Sequence, residues 1–530
     1  MKRNLIVFLL ALAMVSVAAC GPADPTPAPD VTPVTPTDTD DGPHRGGALR
    51  IATPTSPVSP DPQLEQTNAK YASAMTDTLM LADADGVPQP FLARDYEVSE
   101  DGTVYTFYLQ EGVIFHDGEP FNAEAAKFSI IRFLDPDLAT RKEPALMKIA
   151  DIEALDTYTL RITLDAPDAL FLQAMSNPPL GMVSPKAVEE LGDAFEEAPV
   201  GLGPYKYKSF IPDELTVLER FDDYWQGTPY MDEIHWVVIP ELTTRVMELE
   251  MGNVDVLAFL DARNALALEE KGFVMIEDLR FANFWLAMNL EHPLLSDVRM
   301  RRAMCHALDR QLLIDEVTYG LADPGYAGIQ PASWAFDPTV EVCSYDPEKA
   351  GELLDDMGWH LADDGFRYND EGTRLHFEWS AANRPDNLIP TEIAQQLFRD
   401  VGIDSSLTMG DHIWRLTSAR TGDFEITMWG LSASINPVAQ ADRSHSEFYW
   451  NPNRHYIEEI DDLLERVALE TDEAVIKEML SEFQHLAAEH LPIVWLYHNS
   501  TITVLNPRVK DLFIDPSNYF DFSRTWLEQE

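Results

Sequence analysis

Positive charge is scarce in this chain. Lys and Arg number 38 against 90 Asp and Glu, a formal net charge of −52 over 530 residues. Such a surface repels polyanions, which excludes DNA or RNA as a partner. The same acidity serves solubility and is also a lever of salt-adapted proteins. Signatures of chemistry are missing as well. There is no His-Glu-x-x-His, and His485 and His490, five apart, read as solvated helix residues rather than zinc ligands. The 13 His residues form no cluster that compels a metal. No Gly-x-Ser-x-Gly nucleophile elbow occurs. Gly201-Leu202-Gly203 has no Lys at P-loop spacing, so backbone geometry explains it better than a phosphate cradle. His116-Asp117-Gly118-Glu119 gathers ionisable groups but reads as a turn. With 90 acidic residues, carboxylate pairs arise by chance and cannot argue a glycosidase. The expectation is a non-enzyme with no catalytic residue, metal or cofactor.

The chain has no long apolar run either. Leu5–Val17 is too short to span a bilayer comfortably; behind Lys2 and Arg3 it reads as the core of an export signal. Val17-Ala18-Ala19-Cys20 resembles a bacterial lipobox, so residues 1–19 are expected to be removed and Cys20 to carry lipid. Residues 20–45, rich in Pro, Thr and Asp, read as a semi-extended tether. What remains exceeds a single hydrophobic core, so two or more lobes are expected.

Asp101–Ser129, DGTVYTFYLQEGVIFHDGEPFNAEAAKFS, organises the rest. An Asp-Gly turn launches a strand with Tyr105, Phe107 and Leu109 on one face and Val104, Thr106 and Tyr108 on the other. Val113–Phe115 reads as a second short strand, and Asn122 as a helix N-cap with Glu124 in the first turn. Thr157–Pro167 alternates like an antiparallel strand. Ser296 is placed to cap a helix through Leu308, Asp309-Arg310 opens another, and Pro492–Val504 reads as buried strand.

The wording of Asp101–Ser129 resembles the signature of the family-5 solute-binding proteins, peptide-type receptors of ABC importers. Further words follow in the family's order. They include Gly46–Ala52, Pro199–Tyr205 (usually written Pro-Val-Gly-Thr-Gly-Pro-Tyr), Tyr224–Tyr230, Leu249–Asp255, the block from Asn289 to Gly320, and Tyr345–Ala350. The resemblance runs from about Gly46 to about Asp515. It implies an α/β, two-lobed periplasmic-binding-protein-like (type II) fold with mixed sheets and hinge strands. Lobe one is expected over residues 46–282, with an extra subdomain at about 79–182. Lobe two is expected over 283–490, with a return to lobe one over 491–530. Phe281–Asn289 and Ile493–Asn499 are the expected crossovers. The implied function is capture of an oligopeptide-type solute outside the cytoplasm and delivery, by lobe closure, to ABC permease and ATPase subunits. The receptor is expected to be a monomeric membrane-anchored lipoprotein. The rivals are a receptor of the same fold for an oligosaccharide or other amine-free solute, a haem or nickel receptor, an anchored cell-wall-binding protein and a secreted glycosidase.

The resemblance frays at the ligand. Peptide-binding relatives carry an aspartate for the peptide amine in a segment like Met428–Pro437, yet here Ala433 or Ser434 stands in its place. No carboxylate occurs between Glu425 and Asp442, so either Asp411 or Asp442 reaches in or the ligand has no free amine. Flat aromatic faces suit sugar rings and apolar side chains alike. The expected contacts are Trp429, Trp414 and Trp285, with Ser432, Ser434 and Asn436 as polar partners. Beyond Cys20 the two cysteines, Cys305 and Cys343, are read either as an exported protein's disulfide or as a packed apolar residue and a loop thiol.

Overall fold

The computed structural model describes residues 42–56, 59–64, 69–83, 86–138, 145–277, 282–432, 436–448, 451–500, 502–514 and 519–529. Cys20, the export signal and the tether lie outside them. The chain enters its first sheet at Ala48–Thr53 (β1), then forms a short helix, Ala69–Met75 (α1). Four strands of a separate sheet follow: Ala93–Val98 (β2), Val104–Leu109 (β3), Ile149–Asp156 (β4) and Thr159–Leu164 (β5), ordered β2-β3-β5-β4. In β3 burial alternates, so that Tyr105, Phe107 and Leu109 pack inward, and in β5 Leu160, Ile162 and Leu164 join them. Helix α2 (Ala123–Leu134) covers this sheet, its first turn held by Asn122, whose Oδ1 accepts from Ala125 N at 3.0 Å. Val113–Phe115 is no strand; Ile114 makes a single bridge to Pro120, because the Asp117-Gly118 turn closes too soon for a ladder.

The first sheet is completed by Tyr205–Ile211 (β6), Leu215–Arg220 (β7), Glu233–Val238 (β8), Val256–Leu260 (β9) and Val274–Glu277 (β10). The second sheet opens with Ala282–Met288 (β11). Helices Val298–Ala307 (α3) and Arg310–Thr318 (α4) follow, then Ala322–Pro324 (β12) and Pro347–Asp356 (α5). Asp297, not Ser296, caps α3 and accepts from Arg299 N; Ser296 instead donates its hydroxyl to Pro293 O. A carboxylate is the better partner for the positive end of a helix. His376–Ala382 (β13), Asp404–Gly410 (β14), His412–Thr421 (α6), Ile426–Ser432 (β15), Pro437–Ala441 (α7), Glu458–Leu469 (α8) and Glu473–His490 (α9) come next. Val494–Asn499 (β16) and Ile502–Leu505 (β17) close the pattern.

Both large sheets are mixed. The first is ordered β10-β17-β9-β1-β8-β7-β6, with β1 parallel to β8 and β9; the second is β12-β16-β11-β15-β13-β14, with β11 antiparallel to both neighbours. The chain therefore passes between sheets twice, after Glu277 and after Asn499. The return expected at 491 falls one strand early, because β16 pairs with β11 and β12 of the second sheet while β17 pairs with β9 and β10 of the first. Hydrophobicity alone cannot say which sheet supplies a buried run with its ladder. Among the described residues no helix is long and apolar enough to cross a membrane.

The Gly201–Gly203 loop locks the subdomain to the first sheet. Gly203 N donates to Met75 O at 2.8 Å, and a Cβ on Gly201 would stand 2.1 Å from that oxygen. His116 braces the loop: its Nδ1 accepts from Gly201 N and its Nε2 donates to Gly203 O at 2.9 Å. Burial pushes His116 down to about 4, so it is neutral at ordinary pH.

Candidate functional site

The two crossover strands lie side by side with β15, and one face of this trio carries most of the expected aromatic residues. Trp285, Trp429 and Trp495 pack there with Ile493 and Phe424 and are 1–3 % exposed. Trp285 and Trp495 have ring centroids 5.2 Å apart, Trp285 Nε1 donates to Asn453 Oδ1, and Arg415 lies over Trp429 at 4.4 Å. Trp429 and Trp285 thus sit opposite one another on β15 and β11 within one buried cluster. Trp414 is elsewhere. It is half-buried on α6 and lines a groove of about 440 Å³ with Asn289, Glu378, Asp423 and Glu425. That groove adjoins the Met288–Ile426 end of the β11–β15 ladder, opposite the Ala282–Ser432 end where the crossovers leave the sheet. Ser432 ends β15, and Ser434 lies outside the described residues. Asn436 caps α7, its Oδ1 accepting from Val438 N at 2.9 Å. A disulfide joins Cys305 to Cys343, with Cα atoms 5.9 Å apart. The structure therefore separates Trp414 from Asn436 and brings Trp285 and Trp429 together inside the core.

At the crossover end the polar groups are ones the sequence did not single out. Asn283 on β11 and His498 on β16 are fully buried, and Asn283 Oδ1 accepts from His498 Nδ1 and Gln330 Nε2, each at 2.7 Å. Gln330 N in turn donates to Gln440 Oε1 at 3.0 Å. Burial, with a smaller push from Arg443, takes His498 down to about 3 and keeps it neutral. Asn283 and His498 stand 215 positions apart, so no local signal could have found them.

Charge gathers where the subdomain meets α7 and α8. Lys148 pairs with buried Asp168 at 2.7 Å, and Asp168 Oδ1 also accepts from Leu170 N. Ala169 N donates to Ala468 O at the end of α8, and Leu170 packs on the core beneath it. Across this contact lies Asp442, just after α7. Its side chain is exposed, yet enough atoms crowd it that burial raises its carboxyl; His445 and Arg443 oppose the rise, Asp168 adds to it, and Lys148 lowers it slightly. Among the described residues no hydrogen bond or ion pair engages its carboxylate. Asp411, the other acid considered, is spent as the cap of α6, accepting from Trp414 N at 2.7 Å.

The profile described as bacterial extracellular solute-binding proteins, family 5 middle, matches residues 87–446. The glutathione-binding protein GsiB of Salmonella typhi is 31% identical over 322 residues, and the match spans 60% of each chain. GsiB of Escherichia coli (strain K12) is 28% identical over 458 residues, 82% of this chain and 86% of that protein. Among solved structures, NikA from Brucella suis in complex with Fe(III)-EDTA superposes with a TM-score of 0.82 at 26% identity, covering 91% of this chain and 100% of that one. The oligopeptide-binding protein AppA from Bacillus subtilis, with a nonapeptide, gives 0.73 at 21% identity, covering 92% and 100%. These likenesses identify the architecture as the two-lobed periplasmic-binding-protein-like fold.

Proposed function

The chain belongs to the bacterial extracellular solute-binding proteins of family 5, and we propose that it captures an oligopeptide-type solute outside the cytoplasm and hands it to the permease and ATPase subunits of an ABC importer. It works as a receptor without chemistry or cofactor of its own. Lobe one comprises the strands up to β10 together with β17 and the C-terminal segment; lobe two runs from β11 through β16. The cleft between them closes when ligand bridges both walls, by the difference in its affinity for the closed and open forms. Cys20 carries the lipid that holds this monomer at the membrane.

Asp442 carries the peptide reading. A crowded carboxylate open to the cleft, facing the Lys148–Asp168 pair of the other wall, is suited to a ligand ammonium, and it supplies the acid missing from Met428–Pro437. Free-amine tri- to pentapeptides should raise the melting temperature saturably, their N-acetylated forms should not, and Asp442→Asn should weaken binding about tenfold to a hundredfold. The neutral node of Asn283, Gln330 and His498 favours the second reading, an amine-free solute. Equal binding of acetylated peptides, or of oligosaccharides in their place, would establish that second reading and discard Asp442 as an anchor.

A further inference from the structure

The disulfide ties α3 to the segment that leads into α5. Cys305 is fully buried on α3, whereas Cys343 is half-buried in the segment leading to α5. That segment is pinned to α3 on the far side of the bond as well: His306 Nδ1 donates to Ser344 O, and Asp346 N donates to His306 O, each at 2.8 Å. Arg310, in the first turn of α4, sends its guanidinium into the same place. Nη2 donates to Cys305 Sγ at 3.3 Å, Nη1 to Cys343 O at 2.9 Å and Nε to Trp495 O on β16 at 2.8 Å. Among the described residues no carboxylate pairs with it. Crowding lowers Arg310 to about 10, with only a small contrary effect of Tyr326. A crowded cation is thus served by neutral acceptors, one of them a cystine sulfur, and a negative charge on that sulfur would be the counter-ion it lacks.

We propose that the Cys305–Cys343 bond is an exchangeable clasp: an external thiolate attacks Cys343 Sγ, and Cys305 leaves as a thiolate held by Arg310. The attacking sulfur supplies the electron pair of the new bond to Cys343, and the pair of the broken bond stays on Cys305. With a dithiol, the second thiol loses its proton to solvent and attacks its own neighbouring sulfur. This releases Cys343, which takes a proton from water, and the reagent departs as a cyclic disulfide, two electrons poorer. Access and leaving-group quality both choose this direction, since Cys305 is sealed and a stabilised thiolate leaves faster. The fitting partner is an extracytoplasmic exchange protein that presents a low-pKa thiolate. Arg310 also donates to Trp495 O on β16, so the clasp and a crossover strand share one side chain. Arg310 is a positioning residue here and touches no solute.

Treating the intact protein with 2-mercaptoethanol, quenching with acid and weighing the peptides locates the mixed disulfide. It is expected on Cys343, and an adduct on Cys305 overturns the proposal. Reduction by dithiothreitol should be about tenfold slower in Arg310→Met than in wild type, with Arg310→Lys between them. The thiolate absorbance of the reduced protein should include a group titrating below the ordinary value of about 8.5 in wild type and none in Arg310→Met. Equal rates and equal titrations refute the role of Arg310, and two free thiols in the denatured, unreduced protein refute the clasp. If Arg310→Met fails to fold, the position of the wild-type adduct and the Arg310→Lys comparison still decide.

Discussion

At the scale of single residues, Asp77 shows what a buried acid does to stability. Its Oδ2 accepts from Tyr224 OH at 3.0 Å and Trp225 Nε1 at 2.7 Å, while among the described residues Oδ1 has no partner. Burial raises its carboxyl to about 7; the two hydrogen bonds oppose the rise and the charge of Asp521 adds to it. A folded value above the unfolded one means that the fold favours the neutral form. That contribution is complete below the unfolded value of about 3.8 and is lost as pH rises to 7. Asp77→Asn cannot ionise, so its advantage over wild type should grow by about 2–4 kcal/mol between pH 5 and pH 8. Urea unfolding at the two pH values checks this, and an equal gap at both rejects it. His116 works on the acid side: its folded value is depressed to about 4, so the stability it lends is present above about 6.5 and is lost as pH falls through 4. Neither environment was legible in sequence, where Asp77 sits in an unremarkable Met-Thr-Asp-Thr and His116 in a turn motif.

Among the elements, the Gly201–Gly203 loop is the least forgiving. A Cβ at Gly203 would come within 2.6 Å of Met75 C and Thr76 N, and backbone at the end of α1 cannot swing aside as a side chain can. Gly203→Ala should therefore cost about 2–3 kcal/mol in thermal or denaturant unfolding, the price of overpacking a rigid contact. A change under about 0.5 kcal/mol would show that α1 gives way. The glycines were legible as backbone geometry, though not their neighbour, because α1 lies far back in the chain. Caps were legible to within a residue, as Asn122 and the Ser296–Asp297 shift show. The strand expected at Val113–Phe115 failed because propensity describes a residue's preference, while a ladder also needs an opposing strand.

For the whole molecule, a receptor that closes on its ligand must become more compact. Small-angle scattering with a saturating peptide from the melting screen should give a smaller radius of gyration than without it, and an unchanged radius would count against hinge closure. Anchoring is tested separately. Cys20→Ser should move the protein from the membrane to the soluble or secreted fraction, since stable attachment needs the acyl chains that this cysteine would carry. If the variant stays membrane-bound, the lipobox reading fails.

The sequence by itself determined the fold and the family: alternating strands such as Val104–Leu109, capped helices such as Ala123–Leu134, and an ordered series of short motifs. Each is written in neighbouring residues, and local periodicity dictates which face is buried. It does not dictate what that face is buried against. Only the tertiary structure decided that Trp285 and Trp429 sit opposite one another on β11 and β15 in one buried cluster, that β16 belongs to the second sheet, and that Asn283 meets His498. It likewise brought Asp442 to the Lys148–Asp168 pair, and Arg310 to a sulfur on one side and to β16 on the other. Those meetings depend on two sheets packing at once, and pairings that span hundreds of residues leave no trace in any short stretch of the chain.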